Sequence, residues 1–135
     1  MGFMSLLSFL RVAHELEHVG LVWQPEIGDE VSQRTAPEMI SILVDPNGMT
    51  PKVLRETYVW LPTVEQLVAQ FEARQAFLFH AGIELDHAKL AYKTIVQVRS
   101  GHIESSAETL RSSMGLVLHQ MLVQESGKQA PNRLH

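Results

Sequence analysis

The chain has 135 residues, 45% of them hydrophobic and 19% charged, with a net charge of −4; this is enough for one core, too short for two comfortable ones, and too apolar for wholesale disorder. No run approaches the ~18 consecutive apolar residues of a membrane span, and without a Lys/Arg run the electrostatic footprint of a nucleic-acid binder is missing. The absence of cysteine removes disulfides, thiolate metal ligands and cysteine nucleophiles, and it fits a reducing interior, so a cytoplasmic location is expected.

Ser5 to Val19 reads as the first helix, with Leu6, Phe9, Leu10, Val12, Ala13, Leu16 and Val19 within one arc at ~100° per residue and Gly20 as its stop. Its apolar start lacks the basic residues and cleavage site of a secretory signal, and Leu6 stands where a myristoylation motif at Gly2 wants Ser or Thr. Leu21 to Gln33, broken by Pro25, Gly28 and Asp29, fits two short strands joined by a turn. Glu38 to Val44 alternates through Ile40, Ile42 and Val44 as a strand does, and Asp45-Pro46-Asn47-Gly48 follows with the composition of a type I turn. Thr50 and Pro51 fit the N-cap and first residue of a helical turn reaching Glu56, with an extended conformation as the competing reading. Tyr58 to Leu61 is extended, and Pro62 breaks it.

Thr63 and Gln66 form a capping box that opens a helix ending near Arg74, with Leu67, Val68 and Phe71 as its apolar stripe. Ala76 to Ile83 and Ala88 to Val98 read as a hairpin around the polar turn Glu84-Leu85-Asp86-His87. Ser105 and Glu108 make a second capping box, followed by Leu110, Met114, Val117, Leu118, Met121 and Leu122 at helical spacing. Periodicity stops at Gly127, so residues 1–127 are expected to form a single α+β domain and 128–135 a flexible tail. The expected architecture is an antiparallel sheet of about four to six strands packed against N-terminal, central and C-terminal amphipathic helices. Trp23, Tyr58, Trp60, Phe77, Phe79 and Tyr92 suit core or strand-face positions.

One string names a chemistry. His14-Glu15-Leu16-Glu17-His18 spells H-E-x-x-H, and on a helix residues four apart share a face, so two imidazoles can hold one zinc ion. The string resembles the signature of the zincin metallopeptidases. The resemblance implies a zinc-dependent hydrolase in which His14 and His18 hold the metal and Glu15 activates water. It covers five residues, and two features depart from the family's pattern: Glu17 is charged where the central pair is usually uncharged, and no sheet precedes the motif helix. Helical projection places His14 and His18 with Arg11 and Glu15 opposite the apolar arc, on a face that turns to water. A third ligand would have to come from Glu84, Asp86, His87, His102 or Glu104, and no spacing selects one. His80 and Glu84, four apart beside Asp86 and His87, read as a polar hairpin tip that need not share a face, and His119 as an exposed residue of the last helix.

No nucleophile elbow, phosphate-binding glycine loop or dinucleotide fingerprint occurs. Two features bear on self-association, against competing readings in which the helix start is buried in the monomer or inserts at a membrane surface and folding mixes the charges over one surface. Phe3, Met4 and Leu7 make the start of the first helix apolar nearly all round, and charge is uneven, −7 over residues 1–86 (5 basic, 12 acidic) against +3 over 87–135 (6 basic, 3 acidic). The reading adopted is a small binding or assembly domain, homodimeric, without cofactor or catalytic activity; the alternative is the zinc hydrolase.

Overall fold

The structure, a computed structural model, describes the backbone of residues 2–133 and the side chains of residues 8–126 apart from position 86. In chain order it contains α1 (Gly2–His18), β1 (Glu30–Gln33), β2 (Ala36–Ile42), α2 (Pro51–Thr57), β3 (Tyr58–Trp60), α3 (Val64–Ala73), β4 (Phe77–Asp86), β5 (Lys89–Val98), β6 (Gly101–Ala107) and α4 (Leu110–Arg133). The class is α+β, but the strands form two three-stranded antiparallel sheets, β2-β1-β3 and β4-β5-β6, instead of one. The break has a local cause. β3 has three residues, Pro62 cannot continue it, and α3 intervenes before β4.

The ends of the elements follow local chemistry. Gly20 takes φ +104°, which lets the Leu21 N–H reach back to the Leu16 carbonyl at 3.0 Å and close α1. Thr50 caps α2 through Val53 N–H. Thr63 and Gln66 make the expected reciprocal box on α3, with both bonds present at 3.2 and 2.9 Å.

Four local expectations are corrected. Only Glu30–Gln33 of the two strands expected between 21 and 33 forms. The preceding segment instead wraps the buried Asp29 carboxylate, which accepts hydrogen bonds from Trp23 Nε1, Glu26 N and Gln66 Nε2 at 2.7–2.9 Å. The turn after β2 is not type I. Met49 N–H donates to the Pro46 carbonyl around Asn47 and Gly48, both at positive φ, as in type I′. Glu84, Leu85 and Asp86 belong to β4, and His87 (φ 50°) and Ala88 (φ 67°) alone turn the chain.

Finally, Ser105 does not cap a helix: it lies in β6, opposite Thr94 of β5. Thr109 takes the capping role through Ser112 N–H at 3.1 Å. Pairing with β5 along the whole of β6 outweighs the single bond a cap supplies. The helix then runs to Arg133, beyond the end of its apolar periodicity. Positions 134 and 135 of the expected tail, and the side chains of Phe3, Met4 and Leu7, lie outside the described residues.

The larger core gathers α1, β3, α3, β5, β6 and α4, with Phe9, Leu16, Leu61, Leu67, Phe71, Val96, Met114, Val117 and Leu118 almost fully enclosed. α4 meets α1 and the second sheet. Toward α1, a Cβ on Gly115 would fall 2.7 Å from Val12 Cγ1 and 3.2 Å from Phe9 Cε1, so the helices approach at a point that only glycine permits. Toward the sheet, Thr94 Oγ1 and Ser113 Oγ lie 2.7 Å apart in the interior, and Ser113 also donates to the Leu110 carbonyl. A smaller cluster of Trp23, Val31, Leu43 and Leu54 lies against the first sheet.

Two substitutions test this packing. Gly115→Ala should lower unfolding free energy by ~1–3 kcal/mol despite its better helix propensity, because the added methyl overpacks a rigid β-branched neighbour. In denaturant titrations the loss should shrink when Val12 is already alanine. Ala88→Gly should raise stability by about 1 kcal/mol, by relieving a left-handed alanine.

Candidate functional site

The H-E-x-x-H face is built by the last two turns of α1. Leu16, the central apolar residue, is completely buried, so His14, Glu15, Glu17 and His18 are turned outward, and all four are exposed. They border one shallow open depression. Both carboxylates have neighbours. Glu17 forms a bidentate ion pair with Arg34, with one bond at 3.0 Å, and Glu15 Oε2 lies 3.8 Å from His119 Nε2 on α4. Arg34 also donates to the Arg55 carbonyl, and Arg55 Nε to the Trp23 carbonyl at 2.7 Å. The Glu17 carboxylate thereby ties the end of α1 to the first sheet and α2. His119 itself is partly buried.

Two imidazoles at this spacing can share one metal ion, and four-coordinate zinc needs further ligands. Among the described residues, no group of three or more His, Asp or Glu side chains is placed to hold a metal. Glu84, Asp86, His87, His102 and Glu104, the sequence candidates for a third ligand, all lie in or at the turn of the second sheet. There the structure does assemble a cluster. His80 and Glu84 share the sheet face turned away from α4, with Nε2 and Oε2 2.9 Å apart, although the approach is too misaligned for a good hydrogen bond. Lys93 lies 3.6 Å from Glu84 and 4.0 Å from Glu104, and the Phe79 ring stacks on His102 at 5.5 Å. This is a charge row on an open sheet face, with His80, Glu84 and Lys93 half-buried and Glu104 exposed.

Apolar exposure marks a different part of the same hairpin. Strand pairing places Ile83 opposite Tyr92 and Leu85 opposite Leu90, on the face that also carries Thr94, Val96 and Ile103. Near the base of the hairpin Val96 and Ile103 are buried with α4. Toward the tip the same face is uncovered: Ile83 is 54%, Leu85 70% and Leu90 62% exposed. Phe77 and Phe79, suited by sequence to core or strand-face positions, lie on β4 and are 76% and 65% exposed, whereas Trp23 is buried. Sequence reading placed Glu84 and Leu85 in a turn and so missed that β4 continues its apolar alternation through them.

Comparison with known families, characterised proteins and solved structures finds no significant match to this chain.

Replacing His14 or His18 with alanine should change unfolding free energy by less than ~0.5 kcal/mol, as for surface residues outside any network. Elemental analysis of the purified protein should give the same zinc content for the parent and for His14→Ala. A stoichiometric equivalent lost on mutation would establish the zinc reading instead.

Proposed function

We propose that this chain is a binding or assembly domain, one folding unit that works as a homodimer with no catalytic step of its own. One observation carries the reading: of the thirteen exposed large hydrophobic residues among those described, six (Phe77, Leu78, Phe79, Ile83, Leu85 and Leu90) lie on the β4–β5 hairpin. Scattered apolar residues are normal on a protein surface, but Ile83, Leu85 and Leu90 stand together on one face at the tip, and such a cluster is the mark of an interaction site. The hairpin is also well formed, its strands pairing from Phe77–Gln97 to Asp86–Lys89 with one bulge near Phe79. A partner would therefore meet a rigid surface and lose little ordering entropy. The chemistry of the patch supports the same reading, because apolar side chains line the tip while the ionic row occupies the opposite face.

Sedimentation equilibrium at micromolar concentration tests the proposal. The expected result is a mass of two 15.2 kDa chains, dissociating on dilution. A mass of one chain throughout that range would reject it.

A further inference from the structure

We infer that two copies join through their β4 strands, paired antiparallel about a two-fold axis at Ile83, so that two three-stranded sheets become one of six strands. The inference rests on the homodimer reading and specifies its interface.

The sheet edges single out β4. An unpaired edge exposes a row of backbone donors and acceptors, and proteins blunt such edges by shortness, proline, inward charge or cover. β3, at one edge of the first sheet, has three residues, and β2, at the other, contains Pro37. In the second sheet β6 has seven residues and β4 ten. β4 is the longest of the four edges, contains no proline or lysine, and points Ile83 and Leu85 to the face that is apolar. Both groups of exposed apolar side chains, Phe77 with Phe79 and Ile83 with Leu85, stand along it.

The order of residues in β4 suits a second copy of itself. A two-fold at Ile83 sets Ile83 against Ile83, Ala81 against Leu85, Gly82 against Glu84 and His80 against Asp86. Directly opposed residues point to the same face of a sheet, so Ala81, Ile83 and Leu85 from both chains make one apolar strip, continued by Tyr92 and Leu90 of each β5. No like charges are opposed, since each Glu84 faces a glycine and each His80 faces an acidic position. Neighbouring registers fare worse. A two-fold at Glu84 opposes two carboxylates, and one at Gly82 sets Leu85 against Phe79, where the bulge reverses the faces. Strand addition thus pairs the open backbone edge of each copy and brings Ala81, Ile83 and Leu85 of the two chains side by side on the apolar face.

The parent chain has no cysteine, so a single introduced thiol reports on the axis. In a residue-centred pair the two Cα atoms lie ~4.5–5.5 Å apart, within disulfide reach. Ile83→Cys treated with oxidised glutathione should give a covalent dimer, and Leu90→Cys, one strand away from the axis in each copy, should not. Ile83→Lys, at an exposed position, should keep the circular dichroism spectrum and melting temperature of the monomer unit while raising the dimer dissociation constant roughly tenfold or more, as like charges meet at the axis. A parent protein that sediments as one chain overturns both this inference and the homodimer reading. A dimeric parent whose Ile83→Cys variant forms no disulfide overturns the β4 pairing alone, as does a dimer unaffected by Ile83→Lys.

Discussion

The fold depends on how one aromatic ring of α1 is seated on α4. Phe9 lies between two α4 residues one turn apart: the Arg111 guanidinium stands 4.4 Å from its ring centroid, and Gly115 leaves the gap into which the ring edge and Val12 fit. Glycine inside a helix normally costs ~1 kcal/mol against alanine, and here the cost is offset by the room it leaves for Phe9 and Val12 against α4. Arg111 extends the junction beyond the ring. It donates to the carbonyls of Leu61 and Pro62 and pairs with Glu30 at 2.8 Å, so one half-buried cation joins α4 to α1, to the end of β3 and to the start of β1. A lysine could supply the charge but not the planar stack and several directed donors at once.

The polar interior serves the same end. Asp29 would be costly to bury alone, but three donors converge on its two oxygens, one of them from α3 through Gln66. The same Gln66 accepts from Thr63 N–H in the capping box, so one side chain both starts α3 and anchors it to the segment before β1. Thr94 and Ser113 do for the second sheet what Asp29 does for the first, since a hydroxyl pair enclosed between β5 and α4 admits few alternative registers. These contacts place the two sheets around the helices, and they leave the far end of the β4–β5 hairpin beyond the reach of α4.

How far the sequence reveals this structure follows the range of the interactions. Thr50, Thr63 with Gln66, and Gly20 act within one turn of helix, and each is legible as a residue pattern. Ser105 and Glu108 show the weakness of the same logic: the capping pattern is present, but pairing of the whole of β6 with β5, from Val98–Gly101 to Tyr92–Ala107, decides the conformation. Gly115 carries no local signal at all, because its role exists only when α1 is in place. The division into two sheets is likewise a matter of pairing between distant strands. At α1, periodicity alone separates Leu16, buried, from His14 and His18, exposed. Chemistry that needs a third ligand from elsewhere in the chain lies beyond what periodicity can assign.

The hairpin has a weak local signature. His87 and Ala88 turn the chain with two positive φ angles and no glycine, so the usual marker of a two-residue hairpin is absent and Glu84 to Asp86 look like loop. Once these residues belong to β4, their meaning changes. Alternation along a strand assigns Ile83 and Leu85 to one face and Glu84 to the other, where Glu84 stands beside His80 and Lys93 of its own sheet. The first face has no such provision. Toward its tip β4 is apolar on one side, ionic on the other and open along its backbone, amphipathic in the way a buried strand is, and α4 covers only its base. Beyond that base Ile83, Leu85 and Leu90 stay more than half exposed, because the end of the hairpin projects past the helix that buries Val96 and Ile103.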